Sequence, residues 1–404
     1  MSTFKMAWRN IWRNKRRTLV TVAAMTIAVF ITIGYSGMVA GMLIQLESDS
    51  LDFELGAAQI FAEGYQDRPS IYTDIEDTAG ILERLDAKEL AAAPRLNGAG
   101  LVAAGEASSG ALFKGVDLVR DPKVLALASQ VHHGSWLAAD VPKGVVIGRK
   151  LAHTLGVGVG DEMIVLSQAT DGSMANDLLT VQGILKGVGA EIDRAGVFMS
   201  EDLFRELLVY EGGAHQIIIK RPHVLDTDAV KAAAVEAAPG QDVQSWKELN
   251  PTLASMLESV TGMINIMFFI VNVAIGIVIL NAMLMSVFER IKEFGVLKAL
   301  GIAPSGVMKL IYVESFIQVT ISVCVGLLLI APVLYYLANT GIDMGALAGT
   351  DMMGLAMMET WYADVTPEIF KGPIFMTLFV VSMAVFYPAL KAAVIQPVAA
   401  MRHQ

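Results

Sequence analysis

Two long apolar runs, residues 262–288 and 307–338, flank a short charged stretch, and this arrangement constrains the chain more than any other feature. About 20 apolar residues span a bilayer as a helix, so each run is long enough. The stretch between them reads Glu289-Arg290-Ile291-Lys292-Glu293-Phe294-Gly295-Val296-Leu297-Lys298-Ala299-Leu300-Gly301. Ile291, Phe294, Leu297 and Leu300 recur at three-residue steps, which predicts one apolar stripe on a helix. Arg290, Lys292, Glu293 and Lys298 fall elsewhere around that wheel. Gly301 stops the helix, and Pro304 keeps it from resuming at once. The expectation is a short amphipathic helix lying flat at a membrane face and tied to two spans. Such a helix is placed to carry a push from a soluble partner into the membrane. The plainer alternative is a juxtamembrane loop with solvated charges.

Two further apolar runs complete a set of four spans. Residues 18–46 are too long for the apolar core of a signal peptide and lack a small-residue cleavage site, so they read as a retained first span. The last run, 373–387, is short if it ends at Pro388, so the span starts near Glu368 or continues past that proline. With 54% hydrophobic and 17% charged residues, the chain is too apolar for a soluble protein of its size. The excess is concentrated in the spans, because residues 47–255 read as an ordinary soluble domain. The one cysteine, Cys324, excludes a disulfide framework and a cysteine zinc site, and reads as a small buried apolar residue.

Charge sets the expected orientation. Residues 1–17, 289–309 and 388–404 hold twelve basic against two acidic residues, leaving −20 for the rest of a chain whose net charge is −10. The positive-inside rule puts these three segments, with both termini, in the cytoplasm. Phe4, Trp8, Ile11 and Trp12 share a helical face within 1–17, so this segment reads as an interfacial amphipathic helix. Trp8, Trp12, Arg13, Arg16 and Arg17 are its expected anchors at the headgroups, and nucleic acid is not an expected partner. The resulting order is an amphipathic helix (1–17), helix 1 (18–46), an extracytoplasmic domain (47–255), and a stalk with helix 2 (256–288). A coupling segment (289–306), helix 3 (307–338), an outer loop (339–370), helix 4 (371–388) and a tail (389–404) follow.

Within 47–255, apolar stretches at 57–61, 145–147, 163–166, 179–184, 197–199 and 216–220 predict strands. Helical patterns lie at 76–91, 148–155, 200–209 and 225–238. The expected class is a four-helix membrane protein with a large α+β domain inserted between helices 1 and 2. A helix from Leu253 could run unbroken into helix 2 as a stalk. Asn265, Asn272 and Asn281 lie in that span, and the first two, seven residues apart, predict a face at a subunit interface or cavity wall. Glu314 sits one turn into helix 3, where a pair with Lys309 or Arg290 is expected.

No stretch carries catalytic chemistry. The glycines of 144–150 lack the Gly-Lys-Ser/Thr ending of a phosphate loop and read as turn glycines. His132 and His133 have no acidic or cysteine companions at ligand spacing. Met344, Met352, Met353, Met357 and Met358 could hold Cu(I), but without His or Cys they read as an adaptable apolar loop. No metal site is expected.

Residues 289–301 closely resemble the cytoplasmic coupling segment of the MacB/LolC-LolE/FtsX-type permeases, the membrane subunits of type VII ABC transporters. Ala7-Trp8-Arg9-Asn10-Ile11-Trp12-Arg13 with Lys15, Arg17 and Thr18 resembles the entry helix of that family. Residues 144–165, with Gly144, Gly148, Gly156, Gly160 and Asp161, resemble its periplasmic core. Residues 181–200, with Gly189 and Asp193, look most like the lipoprotein-releasing LolC/LolE branch, as does the loop from Trp361 to Pro367. Tyr387-Pro388-Ala389, Pro397 and Arg402 match its closing motif. The resemblance covers the whole chain, in order. It implies a permease of the bacterial inner membrane that lacks its own ATPase. A cytoplasmic ATPase dimer would dock on Glu289, Arg290, Lys292, Glu293, Phe294, Gly295, Leu297, Lys298 and Gly301. A second permease subunit, identical or homologous, would complete the assembly. No cofactor is expected in this chain, since ATP and Mg belong to the partner. ATPase motion would reach the periplasmic domain to release or export lipoprotein cargo. MacB-like export of peptides or small amphiphiles, and FtsX-like signalling to a periplasmic partner protein, remain alternatives.

Overall fold

The structure is a computed structural model that describes residues 3–220, 227–343, 351–352, 355–356 and 360–394. The chain opens with α1 (Thr3–Arg13) and α2 (Lys15–Ser50). The first half of the insert holds β1 (Ala58–Phe61), α3 (Thr78–Asp86), β2 (Ala92–Ala104), β3 (Ala107–Val116), α4 (Asp121–Val124), β4 (Val131–Gly134), β5 (Gly144–Ile147) and α5 (Arg149–Leu155). It continues through β6 (Glu162–Gln168), β7 (Met174–Leu185), α6 (Ala190–Ala195), β8 (Gly196–Ser200), α7 (Glu201–Leu208), β9 (Gln216–Ile219), α8 (Thr227–Ala237), β10 (Asp242–Ser245) and α9 (Trp246–Leu249). The chain then forms α10 (Pro251–Glu289), α11 (Ile291–Ala299), α12 (Pro304–Asn339) and α13 (Glu368–Val394). Two compact units emerge: residues 1–44, 256–343 and 360–404, and residues 45–255 with 344–359.

Four helices of the described chain are long and apolar enough to cross a membrane: Thr18–Leu55, Pro251–Glu289, Pro304–Asn339 and Glu368–Val394. In the first unit, α12 packs along α13 and α1 lies on α12. Ala7, Ile11, Met283, Phe294, Leu310, Ile311, Val385 and Ala389 meet in one buried cluster. Pro388 sits inside α13 and does not end it, so the fourth span extends at both ends. Backbone groups freed by a proline in a membrane helix can be satisfied by neighbouring groups, so a kink need not become a stop. Gly41 of α2 has no room for a side chain, because a Cβ there would meet the Tyr362 carbonyl. The loop 361–364 is further held to α2 by the Asp364 N–H donating to the Gly37 carbonyl at 2.9 Å. Cys324 corrects its expectation: it is exposed on α12, because Ser322 and Gly326 occupy the face turned to α2.

The second unit is a mixed α/β domain. Its strands run in the order β10-β1-β9-β2-β3-β8-β5-β7-β4, with β6 bridging β2 and β7. The parallel pairs β3–β8 and β5–β7 sit among antiparallel ones. One core gathers Phe113, Leu151, Val165, Leu179 and Phe204. Another gathers Ile60, Ile81, Leu85, Ile217 and Val230. All six strands and four helices predicted in the insert are present. The hairpin β2–β3 was not legible, since β2 reads Ala-Ala-Pro-Arg-Leu-Asn-Gly-Ala-Gly-Leu-Val-Ala-Ala, poor in β-branched and aromatic residues. The tail beyond residue 394, the closing-motif residues Pro397 and Arg402, and Met344, Met353, Met357 and Met358 lie outside the described residues, as does the Met352 side chain.

Candidate functional site

The charged stretch folds as α11, a nine-residue helix separated from the end of α10 by Arg290 alone. Gly301 has φ +93°, the left-handed conformation that ends a helix at little cost to glycine. The Ile302 N–H donates back to the Leu297 carbonyl at 3.1 Å, closing that terminus. Pro304 then opens α12 at its first turn, where proline is favoured, and so acts as a start as well as a stop.

The apolar stripe is shorter than the spacing implies. Phe294 and Gly295 are buried, Ile291 and Leu297 are half-buried, and Leu300 is 77% exposed because the helix ends before it. The cations are also sorted differently. Arg290, placed off the stripe by the sequence, is only 6% exposed. Its Nη1 donates to Glu314 Oε2 of α12 at 2.9 Å, and its Nε donates to Glu293 Oε2 at 2.9 Å. Its guanidinium lies over the Phe294 ring, 5.1 Å from the centroid. Glu293 also receives Arg13 of α1 at 2.5 Å. Burial pushes the Glu293 carboxyl up, but the hydrogen bonds from Arg290 and Arg13 outweigh it and hold it below the usual glutamate value. One chain of charges, Arg13–Glu293–Arg290–Glu314, therefore ties α1, α11 and α12 together. Glu314 was expected to pair with Lys309 or Arg290, and the partner is Arg290.

Lys298 donates to the Ala393 carbonyl of α13 at 2.6 Å, fastening the other end of α11. Lys292 is exposed, as is Glu289 at the end of α10. Between α1 and α11 opens a groove of about 890 Å³. Trp8, Arg9, Trp12 and Arg13 line one side, and Lys292, Glu293, Val296 and Leu297 the other. Trp8 and Trp12 are exposed and meet edge-to-face at 5.9 Å, while Ile11, expected beside them, turns inward with Ala7. The hydroxyl of Thr18 donates to the Ile11 carbonyl at 2.7 Å and closes the end of α1. Arg16 is exposed, and the Arg17 side chain lies outside the described residues. Arg9, Val296 and Glu314 were not singled out as site residues. Arg9 shares the spacing of Arg13 and could have been, whereas Val296 reads as one more apolar residue of a stretch full of them.

The two asparagines of α10 separate. Asn272 is buried within this chain, with Nδ2 donating to the Phe268 carbonyl at 2.8 Å and Oδ1 accepting from Thr377 of α13 at 3.4 Å. Within this chain α13 covers it. Asn265 is exposed. His132 and His133 lie on β4 with rings 4.2 Å apart.

Comparison with known proteins is consistent with these features. Residues 18–248 match the family described as the MacB-like periplasmic core domain, and residues 265–397 the one described as the FtsX-like permease C-terminal. The lipoprotein-releasing system transmembrane protein LolC of Xylella fastidiosa is 24% identical over 336 residues, covering 80% of each chain. An uncharacterised ABC transporter permease of Methanocaldococcus jannaschii is 27% identical over 290 residues, covering 67% of this chain and 65% of its own. The solved periplasmic region of MacB from Actinobacillus actinomycetemcomitans overlays 52% of this chain and 98% of its own, at TM-score 0.37 and 12% identity.

Proposed function

The chain belongs to the family of ABC transporter permeases of the MacB/FtsX/LolC type, a multi-pass membrane protein, and from that premise we propose that it couples a separate cytoplasmic ATPase to a periplasmic domain in the release of lipid-anchored proteins. The observation that carries the coupling is the charge chain Arg13–Glu293–Arg290–Glu314. An ATPase pressing on α11 cannot move that helix alone. The ion pairs hold it to α1 and α12, and Lys298 holds it to α13, so displacement passes to the spans.

The groove between α1 and α11 is the docking surface, and the residues left for the ATPase are those not already bonded within the chain. Val296 is 47% exposed and Lys292 is solvated, so both face the partner. Arg290, Phe294 and Gly295 act beneath them as the frame. Both termini and α11 lie on the cytoplasmic side, and residues 47–255 lie in the periplasm. ATP and Mg bind to the ATPase, not to this chain. Two permease subunits and two ATPases form the working assembly.

Lipoprotein as cargo rests on the similarity to the LolC proteins of Xylella fastidiosa and Neisseria meningitidis, which extends over 80% and 78% of this chain. The test is reconstitution with the ATPase in vesicles carrying a triacylated lipoprotein. ATP-dependent transfer of the lipoprotein to a soluble acceptor supports the reading. ATP hydrolysis that releases none, and that responds to an acyl-free peptide, overturns the cargo assignment.

A further inference from the structure

The inserted unit holds an open cleft of about 570 Å³, within the size range of small-molecule sites. Its wall carries both signs of charge beside apolar surface. Lys114 of β3 lines it and donates to Asn97 Oδ1 at 3.0 Å. Asn97 is itself fixed: Nδ2 donates to Gln216 Oε1 at 2.7 Å and to the Tyr65 hydroxyl at 3.3 Å, and its backbone N–H donates to His215 Nδ1 at 3.1 Å. The ammonium is thus held by a rigid frame with donors to spare, since a lysine carries three.

Arg95 also lines the cavity, but its charge is spent on a bidentate pair with Asp121 at 2.9 and 3.2 Å. Lys114 is therefore the cation open to a ligand. Opposite in sign stand Glu54 and Glu191. Glu54 interacts electrostatically with Lys114, yet its carboxylate makes no hydrogen bond among the described residues. Burial pushes Lys114 below its ordinary value while Glu54 pulls it back up. Such a part-buried charge is costly unless it is paired. A ligand that is only an anion would face two carboxylates, and one that is only a cation would face Lys114. A ligand with both charges and an apolar body complements Lys114, the two carboxylates and the apolar surface of Phe61 and Leu112 together.

We propose that this cavity binds a zwitterionic small molecule of the amino-acid or short-peptide class, its carboxylate on Lys114 and its ammonium on Glu54 and Glu191. The site lies wholly within the inserted unit and holds whether or not the α11 groove takes an ATPase.

The test is calorimetric titration of the full chain in lipid nanodiscs with alanyl-leucine, its N-acetyl form, its amide and the doubly blocked form. Alanyl-leucine binds saturably, and blocking either end weakens it about tenfold or more, as expected for hydrogen bonds to charged groups. With Lys114→Met the free acid and the amide bind alike. With Glu54→Gln the free amine and the N-acetyl form bind alike. The blocked peptides make the comparison on the unaltered protein, so a variant that fails to fold does not decide it. No saturable binding of alanyl-leucine at millimolar concentration, or binding indifferent to both blocks, overturns the proposal.

Discussion

Arg290 and Glu314 form an ion pair that water barely reaches, with Glu314 only 3% exposed. Removing one partner strands the other charge, which costs about 3–5 kcal/mol. Glu314→Gln is therefore expected to lower the melting temperature of the purified protein sharply. The paired change Arg290→Met with Glu314→Leu restores most of it, and a melt as low as the single variant's would refute the pair. The pair was half legible in sequence: a carboxylate one turn into a span calls for a cation, but two cations were in reach and only packing chose between them. His215 was not legible at all. It is fully buried, accepts from the Asn97 N–H at Nδ1, and lies 3.1 Å from the Ile71 carbonyl at Nε2. These bonds fit the neutral ring, with Nε2–H as the donor. Burial pushes its pKa below the ordinary 6.5, against the Ile71 bond. The stability this lends is complete above pH 6.5 and is lost as pH falls from there through the folded value. Melting temperatures of the full chain should fall between pH 7.5 and pH 5 by more than those of His215→Gln; equal slopes would place the acid sensitivity elsewhere.

At the scale of the element, α11 is too short to be stable alone, since an isolated helix needs roughly 12–15 residues in water. Its order comes from Phe294 in the membrane-unit core, from the ion chain and from the Lys298 bond to Ala393. Phe294→Ala is expected to cost about 3–5 kcal/mol and to loosen ATPase coupling together with stability. Glu293→Arg acts differently. It sets a third cation between Arg13 and Arg290 and breaks the link to α1 while leaving Phe294 seated. ATP hydrolysis by the partner should then continue while cargo release stops, and full release in that variant would count against the chain of charges. The helix and its glycine stop were legible because periodicity and Gly301 are local signals. Which cations turn inward was not, because that depends on α1, α12 and α13 arriving from distant parts of the chain. The same limit explains β2: its Ala- and Gly-rich strand is held by its neighbours β3, β6 and β9, not by its own propensity.

For the whole molecule, the four spans and the α+β insert follow from runs of hydropathy and alternation that no tertiary contact can disguise. The proposed orientation rests on the basic residues flanking the spans. A reporter enzyme fused after residue 150 should be active only in the periplasm, and one fused after residue 298 only in the cytoplasm; the reverse pattern would invert the topology. The central claim is that the α1–α11 groove receives an ATPase. Its most direct test is a crosslink from Val296→Cys, made in a Cys324→Ala background so that a single thiol is present, after co-expression with the ATPase. The account predicts a crosslinked permease–ATPase species. An ATPase that co-purifies but crosslinks only elsewhere would contradict it.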